Sequence, residues 1–263
     1  MKAFSDFDLL VRRFDRPEVR AIVLMDSYAR GNPGLFSDVD LVRFAGEAHT
    51  PFPDDGSHLI DDFLVTVSSV NTKQVEEWFS RPEVAVNVIA GVRTARPLLD
   101  RHNTFEAIQR RAQAFAWDKE MQHKANRWAS QQMVGWIEEV HKGLEGLRHN
   151  DVGRLLNARH GCSWGLSRVM AVQRGVLLTS DNSFYDEVRR AVGLDSEWAQ
   201  LYSTAFGVEG PDGRAPSLRE QVLAGLRLYA VTAKLLVAVL EAGDARLVEH
   251  TVNLIKTTLG QKQ

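Results

Sequence analysis

Cysteine is almost missing: Cys162 is the single one in 263 residues. That excludes an intrachain disulfide framework and a cysteine-based zinc site, and it suits a reducing cytoplasm. An excess of one charge is missing too, since 32 Lys and Arg face 34 Asp and Glu, for a formal net charge of -2. Without a basic surplus there is no global field for gripping nucleic acid. No uninterrupted apolar run reaches the roughly 18–20 residues that cross a bilayer. The N-terminal Met1-Lys2-Ala3-Phe4-Ser5-Asp6-Phe7-Asp8 carries acids where a signal peptide needs a basic and then an apolar stretch. These absences predict a cytoplasmic protein with neither nucleic acid nor membrane as a partner. What is present is an ordinary globular composition, 44% apolar and 25% charged, in a chain long enough for two cores.

The chain has two grammars. In residues 1–102 short apolar runs alternate with turn signals, which predicts a small mixed sheet with flanking helices. Phe4 to Phe14 has helical spacing and Pro17 ends it. Val19 to Met25 is a buried strand, Val39 to Phe44 a second, and His58 to Val70 one or two more. The Pro- and Asp-rich stretch from Thr50 to Ser57 is an exposed loop, Asn71-Thr72 caps a helix through Phe79, another helix starts at Pro82, and Thr94 to Leu99 is a last strand. Residues 103–263 carry helix signals alone: Thr104 to Asn150, Asp151 to Arg174, Asp181 to Val192, Ser196 to Phe206, Leu218 to Leu240 and Asp244 to Leu259. Gly207 to Ser217 is the one plain loop among them. The fold class expected is α+β followed by an all-α helical bundle domain.

The stretch that carries chemistry is Ala21 to Phe44. A buried strand runs into Asp26-Ser27-Tyr28-Ala29-Arg30-Gly31, then a Pro-Gly loop, then Ser37-Asp38-Val39-Asp40-Leu41. Asp38 and Asp40 are two apart on a strand, so both carboxylates leave one face. Two hard oxygen ligands at a sheet edge suit a divalent cation of the Mg2+ type. Ser27 and the amides around it open a new turn directly after a strand, which aims donors at an anion. Arg30 adds a positive fork that suits phosphate. Exposed acids beside an ordinary turn would explain each piece alone, but not the combination in this order.

The segment resembles the nucleotidyltransferase superfamily signature, Gly-Ser-x-Ala-Arg-Gly followed by Ser-Asp-x-Asp-Leu. That superfamily includes antibiotic-modifying adenylyltransferases that act on aminoglycosides and lincosamides. The resemblance implies a small mixed sheet, Mg2+, and ATP as donor of a nucleoside monophosphate to a hydroxyl of a small acceptor, with pyrophosphate leaving. It implies that Ser27 and Arg30 hold the triphosphate and that the catalytic Asp38 and Asp40 ligate the metal. In the aminoglycoside-type members the C-terminal helices provide a general-base Glu and, one turn later, a phosphate-binding Lys. Glu138 and Lys142 are similar in spacing, and Glu139 is the second choice of base. An ordinary surface Glu–Lys pair is the competing reading.

Two positions depart from the pattern. Asp26 stands where the family has Gly, adding a Cβ and a negative charge beside the phosphates. Thr66, in Leu64-Val65-Thr66-Val67-Ser68, stands where a third acid is expected; Asp61 and Asp62 are the alternatives, although they read as a turn. Two rival functions follow. One is a non-catalytic nucleotide-binding protein of the same fold, degraded at Asp26 and Thr66. The other is transfer to a protein acceptor, against which the appended bundle speaks. A homodimer is left open.

Lesser candidates complete the reading. An aminoglycoside-like acceptor wants acids, and Pro53-Asp54-Asp55 and Glu138-Glu139 offer them. Tyr28 suits adenine stacking or packing equally. Gly161-Cys162-Ser163-Trp164-Gly165 reads as close helix packing with an inert thiol, and Trp164 as core. The stripe Leu223, Leu226, Leu228, Val231, Leu235, Val239 reads as core at helical spacing. No histidine has a metal-binding companion, and His141 reads as solvated.

Overall fold

The computed structural model describes residues 4–46, 51–210 and 212–260. They form two compact units: the chain up to Trp117 together with Leu177–Asp181, and Asp118–Val176 together with the chain from Asn182 onward.

The first unit runs α1 (Phe7–Phe14), β1 (Val19–Leu24), α2 (Asp26–Ala29), β2 (Val39–Ala45), β3 (Gly56–Ile60), β4 (Phe63–Val70), α3 (Thr72–Ser80), α4 (Pro82–Thr94), β5 (Arg96–Asp100) and α5 (Thr104–Ala114). The sheet order is β3-β4-β2-β1-β5. Only the β2–β4 pair is parallel; the other three are antiparallel. β1 is apolar and buried apart from the exposed Arg20, because both its faces are covered. Ile22 and Leu24 join Phe14, Val39 and Leu41 in one core, while Ala21 and Val23 join Phe44, Ile89 and Phe105 in the other. The mixed sheet with flanking helices is thus the architecture expected.

One local expectation is resolved and two change. The His58–Val70 segment is two strands, because Asp61 (φ 49°) and Asp62 (φ 64°) form a two-residue hairpin turn between the paired Ile60 and Phe63. The expected loop from Thr50 to Ser57 begins outside the described residues, and its far end is already strand, β3 starting at Gly56. Thr94 closes α4 through hydroxyl bonds to the Ala90 and Gly91 carbonyls, so the last strand begins later, at Arg96.

The division between the units also falls later than residue 102. Helix α5 belongs with the sheet: Phe105 and Ala112 are fully buried in the core that holds Phe44 and Ile89. Arg93 donates to the Ala112 and Phe115 carbonyls, both at 2.9 Å, and fastens it there. Helical periodicity states that α5 has an apolar face, not which core that face meets.

The second unit is helical throughout its described residues: α6 (Lys119–Gly135), α7 (Ile137–His149), α8 (Val152–His160), α9 (Leu166–Gln173), α10 (Phe184–Val192), α11 (Glu197–Phe206), α12 (Leu218–Leu236) and α13 (Ala242–Gly260). The long predicted helices are interrupted. Asp118 caps α6 by accepting from the Met121 amide at 2.8 Å, Trp136 separates α6 from α7, and Gly161–Gly165 is a π-helical turn between α8 and α9. The glycines there permit close approach. A Cβ on Gly161 would meet Glu139 Cγ at 2.5 Å, and one on Gly165 would overlap the Trp136 indole.

Cys162 is fully buried, and burial, with the Glu139 charge second, pushes its thiol up to about 12. The thiol is inert, as expected. Trp164 is not core: it is 50% exposed and stacks on Phe184 with ring centroids 5.7 Å apart. Its neighbours Gly161, Cys162 and Gly165 take the inner contacts, which leaves the outer face to the indole. The leucine stripe is likewise mixed, since Leu226 and Leu228 are fully buried but Leu235 is exposed. No helix among the described residues is long and apolar enough to cross a membrane.

Candidate functional site

The site is built where β1 ends beside the start of β2. The Met25 amide donates to the Asp40 carbonyl at 2.9 Å, which ties the end of one strand to the start of the other. The chain then turns into the single turn of α2. Asp26 begins it with φ 51°, a left-handed conformation that glycine adopts freely and a side chain resists by about 1–2 kcal/mol. The position therefore has a backbone conformation that favours glycine, with a carboxylate mounted on it.

Asp38 and Asp40 flank Val39, which is fully buried. With Val39 pinned in the core, the two carboxylates share the other face. Asp40 is raised from its ordinary value to about 6, chiefly by burial, then by the charges of Asp38 and Asp26. Three acids thus converge closely enough to repel. Thr66 is the parallel-strand partner of Asp40, and its hydroxyl donates to Asp38 Oδ2 at 3.3 Å. A neutral hydroxyl therefore occupies the place where a third acid was expected. Asp61 and Asp62 sit in the hairpin turn and not on the face of β4, so neither replaces it. Among the described residues no three Asp, Glu, His or Cys side chains are grouped to hold a metal. Two carboxylates nevertheless suit Mg2+, which binds through one or two of them plus substrate phosphates and water.

Ser27 and Arg30 lie on the same turn. Arg30 Nη1 reaches Asp26 Oδ1 at 3.4 Å and the Thr179 carbonyl at 3.3 Å. Both contacts are long, so the guanidinium is steered but not consumed. The Thr179 carbonyl, from the short 177–181 segment, had no signal in the sequence. The contribution of Asp26 to the Asp40 field did, because an acid at a glycine position beside Ser-Asp-x-Asp adds a third charge to the pair.

Other candidates are placed elsewhere. Asp54 and Asp55 do not offer free charge to an acceptor. The fully buried Arg43 holds Asp54 Oδ1 at 2.9 Å and Asp55 Oδ1 at 2.6 Å, and Arg16 holds Asp54 Oδ2 at 2.7 Å. Burial alone would raise Asp54, but the Arg43 bond and both guanidinium charges outweigh it and its pKa is lowered. Tyr28 is buried; its hydroxyl accepts from the Phe4 amide at 3.3 Å and its ring meets Phe7 edge-on, so it packs.

Glu138 and Lys142 stand on α7 in the second unit, in contact at 2.9 Å. Lys142 also reaches Glu139 Oε1 at 2.8 Å. Glu138 is 75% exposed and its pKa is lowered by the Lys142 hydrogen bond and charge. Glu139 is 18% exposed, and its Oε2 is buried with no hydrogen-bond partner. Of the two, Glu138 is the exposed carboxylate, while Glu139 has one oxygen on Lys142 and the other buried.

Among the described residues, one cavity of about 590 Å3 lies in the second unit and one of about 270 Å3 in the first; neither of these is lined by Asp26, Ser27, Arg30, Asp38 or Asp40.

No protein-family model matches the chain, and no curated protein does. Among solved structures, a nucleotidyltransferase-like protein from Exiguobacterium sibiricum is similar at 12% identity and a TM-score of 0.49, over 97% of this chain and 79% of that one. A likeness of that degree carries no argument about activity.

Proposed function

We propose that the protein is a Mg2+-dependent nucleotidyltransferase that moves a nucleoside monophosphate from ATP to a hydroxyl of a small, aminoglycoside- or lincosamide-like molecule. The observation that carries the reading is the placement of Asp38 and Asp40 on one face at the start of β2, beside the turn that bears Asp26, Ser27 and Arg30, with the Asp26 and Asp38 charges acting on Asp40. Strained like charges on a rigid edge are what a divalent cation relieves. Asp38 and Asp40 are the residues that would hold the ion. Bound there, it supplies charge neutralisation at the reacting phosphate. Ser27 and Arg30 anchor the polyphosphate, and Arg30 exchanges its long contact to Asp26 for phosphate oxygens.

Pyrophosphate release from ATP and Mg2+ across a panel of aminoglycosides, lincosamides and nucleosides tests this. Turnover with at least one acceptor, abolished in Asp38→Asn, is the expected result. Turnover untouched by Asp38→Asn would remove the metal assignment. One observation favours a second reading, nucleotide binding without transfer: Thr66 takes the third acid's place, and Asp26 competes with phosphate for Arg30. That reading expects ATP and Mg2+ to raise the melting temperature with no acceptor releasing pyrophosphate. Asp26→Gly distinguishes the two, since it restores activity only to a site damaged at that position.

A further inference from the structure

The 590 Å3 cavity lies wholly within the helical unit, between the C-terminal part of α7, the start of α12 and the end of α13. The apolar half of its walls is Leu144 and Leu147 from α7, Leu223 from α12, and Leu254 and Leu259 from α13; polar side chains of the same three helices make the other half. Leu144 and Leu147 are buried, whereas Leu254 is 36% exposed, so the pocket has a closed floor and an open mouth. Its volume falls inside the roughly 300–1,000 Å3 range of small-molecule sites. Leu223 begins a stripe that continues into buried Leu226, yet here it faces a void instead of a neighbouring helix.

The polar groups around that mouth carry a bias. Arg148 and Arg219 both line it. Arg219 Nη1 donates to the Leu147 carbonyl at 3.1 Å, which fixes its guanidinium over the end of α7. Arg148 makes no ion pair among the described residues. The one acid in the lining, Glu145, is turned to other partners, His149 Nε2 at 2.8 Å and Arg154 Nη1 at 3.7 Å. The lining is therefore five leucines with two guanidinium forks against one carboxylate, Glu145, completed by His141 and Thr258.

We propose that this cavity binds a small amphiphile with an apolar body and a single oxyanion head, carboxylate or phosphate. The leucines take the body by desolvation, and the Arg148 and Arg219 forks take the head. The site shares no residue with the Asp38–Asp40 edge, so its test stands whatever that edge does.

The full-length protein is titrated calorimetrically with decanoate, decyl phosphate and decyltrimethylammonium, each below its micelle concentration. Saturable one-site binding of at least one anion, with a negative heat-capacity change and no comparable binding of the cation, is expected. Which anion binds more tightly identifies the head. Arg148→Gln, which removes no internal bond, should weaken anion binding by about 10-fold or more. Leu254→Glu, at a partly exposed position, should abolish it while the circular dichroism and melting temperature stay those of the parent. Equal binding of the cation, absence of saturable anion binding, or an Arg148→Gln variant that binds like the parent would each overturn the proposal.

Discussion

Asp40→Asn should make the metal-free protein more stable, and the size follows from the site. Asp40 is raised from 3.8 to about 6, so its ionised form is disfavoured in the fold. At about 1.4 kcal/mol per unit that is roughly 3 kcal/mol at most above pH 7. The side chain is only half buried, so solvent screening reduces the figure to about 1–2 kcal/mol. The sign is unambiguous. A carboxyl raised on folding costs stability in full above its folded value, and the cost disappears as pH falls to the unfolded value. Asparagine keeps the shape and removes the charge. The assay is urea unfolding at pH 7.5 and 5.0 without metal, read by hydrogen exchange of peptides spanning β1 and β2, because two units need not unfold together. A gain of about 1–2 kcal/mol at pH 7.5, cut to roughly half at pH 5.0, is expected. Mg2+ with ATP should then stabilise the parent and not the variant. A variant less stable than the parent at pH 7.5, or a difference that ignores pH, would refute the argument that repulsion is stored at this edge.

Three further outcomes follow from particular contacts. Thr66→Asp places a third carboxylate beside Asp38 and Asp40; Mn2+ affinity, read by electron paramagnetic resonance, should rise about 10-fold while the metal-free protein loses about 1–2 kcal/mol. Arg43→Met removes the cation that ties Asp54, Asp55, Ser69 and the Phe14 carbonyl together; chemical denaturation should show a loss of about 3–5 kcal/mol in the sheet unit. Gly165→Ala drives a methyl group into the Trp136 indole; a loss of about 1–3 kcal/mol in the helical unit is expected, with Trp fluorescence shifted to the red.

The sheet was legible because its signals are local. β1 is short and apolar but for Arg20, Asn71 forms its capping box with Gln74, and Pro82 starts α4, each within a few residues of the position read from sequence. The sharing of one face by Asp38 and Asp40 was legible for the same reason, as a property of strand period. What escaped depends on partners distant in sequence. Asp54 and Asp55 read as free acids because Arg43 and Arg16 reach them only in the fold. The place of α5 was hidden because its apolar stripe fits either core. The Thr179 carbonyl on Arg30 is 149 residues away, and the leucine-lined cavity arises where three helices meet, of which only the α12 stripe read as core.

The proposed role of the Asp38–Asp40 edge is to hold a divalent cation against the phosphates of a nucleotide. Anomalous diffraction from a crystal soaked with Mn2+ and an α,β-methylene analogue of ATP tests that role. One strong peak is expected at direct-coordination distance, about 2.1 Å for a small hard cation, from oxygens of both aspartates and of the phosphate chain. Density for the analogue elsewhere, or no peak at these two side chains, would contradict it.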